Sequence, residues 1–557
     1  MVKKKFLNVF AMIFLSTALF TACKGNNNNV IIPPPAAPAA PPEVLLATGG
    51  TGTSGSGGSG GYVYIESYGT VTVRKSGTVD ASFTIPAFTP DFGSISAIVS
   101  GGITTVLLDT DTNNGSPHLY VKSGGGAPNL YLGNGDGDTT NDVPVTGLTV
   151  DAGATLVLVD QGYWGGYGTV WLSNDLVVNG TITTDAPSIY IEANVIDVES
   201  SGKITTSATT PDSPAGEIYL GDGNSITKTI INRGTIEAKG LSTGNGGYTY
   251  FEADDLVVNY GTIDTSGGAS DTGTGGSGGE FDVYVDYGNF YSSGTVRTNG
   301  GGAGGDGNRG GVAGPIYIYT AYYDNPTSNG DIIISGTWEA NGGDGTGTIA
   351  NATRGDGGTG GYIYFETDAM GAVTMNATMS TKGGTGNGTS AIGGNADGIE
   401  IDSYNADSND PATPGKITIS GHYDLRGGGG QDGGSGGYLY VYNDTTTYSD
   451  NLGSDVELVN FPAMNFNGGE GGPTGGSASS QAFEIDTYSS SNLSRSITNE
   501  ANIEAIGGRA RDAGGTGGNG GNITTSPDDP PTLNTGKLSV AGGSGTNPGA
   551  PGSITLN

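Results

Sequence analysis

Along most of the chain, apolar residues alternate with polar ones in short runs, and the runs fall into three recurring families. The first reads Gly234-Thr-Ile236-Glu-Ala238, Gly261-Thr-Ile263-Asp-Thr265, Gly294-Thr-Val296-Arg-Thr298 and Gly336-Thr-Trp338-Glu-Ala340, and a Gly-rich stretch follows nearly every copy. The second comes next, as in Phe281-Asp-Val-Tyr-Val285 and Ile363-Tyr-Phe365. A shorter third family closes the unit, as in Leu256-Val-Val-Asn259, Ile332-Ile-Ile-Ser335 and Ile417-Thr-Ile-Ser420. Alternation with period two marks a strand with one buried face. It puts Ile363 and Phe365 inside and Tyr362, Tyr364 and Glu366 outside.

Each unit therefore has three strands and one variable loop. The spacing wanders between roughly 22 and 44 residues, and the variation sits in the Gly-rich stretches, where added length costs least. Constant strands joined by variable loops are what a solenoid produces. The expected fold is all-β, a right-handed parallel β-helix with three strands per coil and Gly-rich variable loops, its hand following from the crossover rule. Asn259, Asn376 and Asn499, with Ser335 and Ser420, end the third strand at equivalent bends, where their side chains are expected to form an internal hydrogen-bond ladder.

The organisation expected is a signal peptide over 1–22, Cys23 with an Asn/Pro/Ala-rich tether over 23–44, irregular N-terminal coils over 45–175, and regular Gly-rich repeats over 176–557. Lys3, Lys4 and Lys5 precede an apolar run from Phe6 to Phe20 that is short for a membrane span, and small residues lead to Cys23. The tether, stretched in a polyproline-like form, reaches on the order of 60 Å.

Composition changes the picture in two ways. With 106 Gly and 34% hydrophobic residues, a large isotropic core is not expected. A net charge of -34 with few Lys and Arg lacks the footprint for nucleic acid and would be repelled by anionic lipid. Cations, neutral glycans and basic partners remain.

Phe20-Thr-Ala-Cys23 resembles the bacterial lipoprotein lipobox, with Phe20 where leucine is usual. The resemblance implies that Cys23, the one cysteine of the chain, becomes the lipidated first residue, its acyl chains including palmitate. Lys24, rather than aspartate, implies an outer-membrane destination facing the cell surface. The other reading is a plain signal peptide with an incidental cysteine. Leu148-Thr-Val-Asp-Ala-Gly-Ala-Thr-Leu-Val-Leu158 resembles the turns of filamentous-haemagglutinin-like surface proteins. Residues 45–557 resemble, more loosely, Gly-rich β-helical surface proteins of Gram-negative bacteria, which implies an adhesin-like role.

Aligning the second family by its buried residues puts Tyr64, Tyr120, Tyr131, Trp171, Tyr190, Tyr219, Tyr250, Tyr284, Tyr317, Tyr364 and Tyr440 at one outward position. Two residues later, on the same face, come Glu66, Glu192, Glu252, Asp286, Glu366, Asp402 and Asp486. Such a stripe suits stacking on sugar rings, with carboxylates accepting hydroxyl hydrogen bonds. Against this, Tyr is a good strand former that pairs with itself across neighbours, and Gly-rich loops folded over the row would bury it.

Calcium is the one cofactor the sequence offers. Asp109, Asp111 and Asn113 alternate as in a calcium loop, and Asp136 and Asp138 repeat the idea, but neither stretch has glutamate at the twelfth position. Ordinary acidic turns fit as well. For catalysis there is no mature thiol and no recurrent metal-ligand spacing, and the two histidines, His118 and His422, form no constellation. The expectation is a non-enzyme, with a carboxylate-dependent polysaccharide hydrolase or lyase as the alternative. The partners expected are the membrane through the lipid anchor, a glycan or cell-surface ligand, and a second copy through end-to-end pairing.

Overall fold

A computed structural model describes the chain from Gly147 onward apart from short gaps, with isolated strand backbones earlier. The described residues all belong to one compact unit, Ala39–Ala81 with Pro90–Asn557. No side chain before Gly147 is described, so Cys23, the tether, Asp109, Asp111, Asn113, Asp136 and Asp138 lie outside the described residues.

The repeats build a parallel β-helix. Second-family strands such as Ser188–Glu192, Glu217–Leu220, Thr249–Ala253, Phe281–Val285, Ile316–Thr320 and Ile363–Thr367 pair in parallel, each with its counterpart one coil on. The third and first families make two further rows, as in Leu256–Asn259 and Thr262–Asp264. In the three coils of Ile332–Glu339, Val373–Ser380 and Ile417–Asp424 the two rows run on as one eight-residue strand, and they part again at Val456–Val459 and Ala463–Asn465. Gly336 and Gly421 make the bend within it at φ +85° and +104°, where an L side chain would be strained. The haemagglutinin-like stretch is itself a coil: Gly147–Val150 and Thr155–Leu158 pair in parallel with Leu176–Val178 and Thr181–Thr184. Earlier in the chain, His118–Lys122 and Asn129–Gly133 form an antiparallel pair that sets Tyr120 opposite Tyr131, so these two tyrosines leave the expected stripe.

The core is a narrow column of Ile, Val, Leu and Phe. Ile363 and Phe365 are fully buried, as alternation requires, and Trp338 packs between Phe290 and Phe365. The corner ladder forms as well. The Asn232 amide donates to Asn259 Oδ1 at 2.9 Å, and Asn259 in turn donates to Ser292 Oγ at 3.4 Å. Asn376 differs from expectation. It is exposed, although it accepts from Ser420 Oγ at 3.1 Å.

The Gly-rich stretches are ordered. Each leaves the first-family strand, turns, and returns to the second-family strand as two antiparallel limbs that, apart from the short antiparallel pair Arg354–Gly355 and Asn387–Gly388, are neither helix nor strand. Limbs bond to the same limb one coil on at every third residue: Gly357, Gly360 and Ile363 donate to Ile392, Asn395 and Gly398. The two limbs of one coil bond to each other with the same step, Gly358 to Gly343 and Gly361 to Ala340. A threefold repeat of sideways bonds is the geometry of polyproline II, which makes no bonds within itself. A zigzag of backbone bonds thus runs through both layers, Gly301 to Gly276, Gly311 to Gly301, Gly343 to Gly311 and Gly358 to Gly343. Backbone N–H and C=O groups are satisfied without strands.

Candidate functional site: the tyrosine face

The outer face of the second-family sheet carries the candidate site. Tyr190, Tyr219 and Tyr250 are in register, and so are Tyr317 and Tyr364. Between these groups the row holds Asp282, opposite both Tyr250 and Tyr317. After Tyr364 it continues through Glu400 to Tyr440. The next row is equally mixed: Glu252, Tyr284, Tyr319, Glu366, Asp402 and Tyr442 are successive neighbours.

Two stripes, one aromatic and one acidic, are therefore corrected to a checkerboard. Tyr284 belongs with Glu252 and Glu366, and Asp286 falls one step further out, its amide bonded to Ala253. Trp171 likewise stands opposite Glu192, with Thr169 opposite Tyr190. The cause is register. Phe281 pairs with Thr249 and Val283 with Phe251, a shift of two from the alignment by Tyr. Such a slip keeps every side chain on its own face, so alternation alone cannot detect it.

A third row, missed in the sequence, completes the face with Tyr248, Glu280, Tyr362 and Tyr438. Its signal was present, since Tyr248, Tyr362 and Tyr438 all stand directly before their strands. The rings of Tyr219, Tyr248, Tyr250, Tyr284, Tyr319, Tyr317, Tyr364, Tyr362 and Tyr438 form one unbroken chain of contacts. Centroids along it lie 4.7–6.4 Å apart, in the range for aromatic pairs. All nine are half-buried, so the Gly-rich limbs do not cover them. Gly398 shows how tightly the face is built, because a Cβ there would strike the Tyr438 ring at 2.3 Å.

The carboxylates are engaged mainly by tyrosine hydroxyls. Tyr190 donates to Glu192 at 3.0 Å, Tyr219 to Glu217 at 2.9 Å, Tyr250 to Glu252 at 2.5 Å and Tyr248 to Asp282 at 2.7 Å. Tyr362 bonds Glu400, and the Tyr364 hydroxyl lies 2.7 Å from Glu366 and 2.8 Å from Asp402. Burial, and then the neighbouring carboxylates, push the Tyr362 and Tyr364 hydroxyls far above the ordinary tyrosine range. They are fixed donors, not bases. Burial also raises Asp286 to about 6, helped by Glu252.

No known protein family, curated protein or solved structure matches the chain. Its chemistry has to be argued from its own residues. Among the described residues no group of three or more His, Cys, Asp or Glu could hold a metal. His422 is half-buried on a first-family strand, opposite Thr378, and burial lowers its pKa. A shallow groove of about 720 Å³ crosses one glycine layer between Asn299 and Glu470, and its cations Lys382 and Arg426 are both held by Asp424.

Proposed function

We propose that the protein is a lipid-anchored surface protein of the outer membrane, displaying a β-helix on a tether from Cys23 and acting as an adhesin that contacts glycans through its tyrosine face. The observation that carries this reading is the unbroken, half-exposed chain of nine tyrosine rings. Such a surface offers repeated apolar platforms at the spacing of the coils, about 4.8 Å, with carboxylate oxygens between them as acceptors for sugar hydroxyls.

An envelope-structural role is the second reading. The Tyr–carboxylate bonds favour it, because they use much of the acceptor capacity of the face internally. One variant separates the two: Tyr250→Ala, Tyr317→Ala and Tyr364→Ala combined in the mature chain, tested on a glycan array and by thermal unfolding. The adhesin reading expects attachment to fall at least tenfold with the fold retained. Unchanged attachment with a lowered Tm would reject it in favour of the structural role.

A further inference from the structure

Five tyrosine rings bend around one carboxylate. Asp282 stands between two tyrosines of its row, with Tyr250 directly opposite on one side and Tyr317 on the other. The rings of Tyr248, Tyr250, Tyr284, Tyr319 and Tyr317 follow one another with centroids 6.0, 5.5, 4.7 and 6.4 Å apart. They make a horseshoe, and its open side, between Tyr317 and Tyr248, is where Glu280 stands.

Asp282 is only 7% exposed. Tyr248 donates to its Oδ2, while Oδ1 is buried and receives no N–H or hydroxyl donor. The charged group acting on it is another acid, Glu280, which also shares a side-chain hydrogen bond with it, and among the described residues no Lys or Arg offsets the pair. Two acids held together by a shared proton still lack a counter-charge, and a cation that enters would take the place of that proton. Tyrosine faces attract a cation lying within about 6 Å of their centroids. A hard metal ion would demand six or more oxygen ligands. Two carboxylates set among tyrosine rings suit an organic cation instead.

We infer that the horseshoe binds an ammonium group, with Asp282 and Glu280 supplying the opposing charge and the tyrosines the walls. This rests on the glycan reading of the face and narrows it to glycans that carry free amino groups. Such a sugar presents one ring to stack and one ammonium to seat.

The test is calorimetric titration of the full mature chain with glucosamine oligomers and with their fully N-acetylated counterparts of equal length. It is run in about 0.3 M salt, so that general attraction to an acidic chain is screened. The expected result is at least tenfold tighter binding of the free-amine form, a preference lost in Asp282→Asn and in Glu280→Gln but kept in the distant surface control Asp512→Asn. Both variants preserve side-chain shape, and circular dichroism verifies the fold. Equal binding of the two forms, or a preference that survives Asp282→Asn, overturns the ammonium site while leaving the glycan reading standing. Equal loss in Asp512→Asn overturns it as nonspecific attraction. Binding of neither form, with no glycan bound on an array, rejects the glycan reading and this site together.

Discussion

A Cβ built on Gly343 would lie 1.9 Å from the carbonyl oxygen of Gly301, one coil away. No rotamer change relieves that contact, because both partners are backbone. Gly343 also donates to Gly311 and accepts from Gly358, each at 2.8 Å, so it cannot move without breaking the zigzag between the layers. Gly302, next to Gly301 on that neighbouring coil, has open space where its Cβ would be. Gly343→Ala should therefore destabilise by about 3 kcal/mol or more. Gly302→Ala should be neutral or stabilising by up to about 1 kcal/mol, through a less flexible unfolded chain. Denaturant unfolding of the two variants checks this, and equal effects would mean that the limbs are not packed as described.

The corner ladder makes a second prediction. Asn232, Asn259 and Ser292 are all fully buried, and Asn259 both accepts from one neighbour and donates to the other. Asn259→Ala removes one acceptor and one donor at once, leaving a buried amide hydrogen on Asn232 without its partner. The expected loss is on the order of 1–3 kcal/mol. Asn259→Ser, which mimics the Ser292 position, should recover part of it. A solenoid can unfold in segments, so hydrogen exchange across residues 229–295 is the sharper readout than a single Tm.

Tyrosine hydroxyls hold the acids of the outer face, and Tyr364 serves two of them. Tyr364→Phe keeps the ring and its contacts with Tyr317, Tyr319 and Tyr362 while removing the donor shared by Glu366 and Asp402. Stability should fall by about 1.5–3 kcal/mol. Thermal unfolding of the variant beside Tyr317→Phe, a ring on the same face with no such pair of acceptors, decides it. Equal losses in the two would assign the effect to packing.

Much of this architecture was legible in the chain, for definable reasons. Alternation found Ile363 and Phe365 as core and Tyr364 and Glu366 as surface, since a strand fixes which face each residue takes. Register was not legible, because a slip of two leaves every face unchanged, and Tyr284 and Asp286 were misplaced for that reason. The glycine limbs were hidden by a different cause. Length varies at their turns, which suggested loose loops, yet the triplet Asn299-Gly-Gly301 returns as Asn341-Gly-Gly343, Lys382-Gly-Gly384, Arg426-Gly-Gly428 and Asn467-Gly-Gly469. A side chain followed by two glycines is the period of three written in sequence. The side chain is half-buried at Asn299, Asn341, Lys382 and Arg426 and fully buried at Asn467, one glycine bonds within its layer, and the last meets the opposite layer, where a Cβ on Gly301, Gly343, Gly384 or Gly428 has no room.

The pH dependence of folding supplies a last prediction, with its sign set by Asp282. Burial raises this carboxyl from an ordinary 3.8 to about 7, the nearby Glu280 adding to the shift and the Tyr248 hydrogen bond opposing it. Between those two values the folded chain holds a proton that the unfolded chain releases. The contribution is therefore fully present below about pH 4 and is lost as pH rises through about 7. The shift sets an upper bound of about 4 kcal/mol, and screening at a half-exposed face brings the expected loss to on the order of 2 kcal/mol. General repulsion in a chain of net charge -34 acts in the same direction, so the wild-type slope alone proves little. Asp282→Asn isolates the term, since asparagine cannot ionise. Calorimetry from pH 4.5 to 8 should show the variant losing markedly less stability than the wild type over this range and overtaking it near pH 8. Parallel curves would show that Asp282 ionises freely in the folded chain, and its burial among the tyrosines would then be wrong.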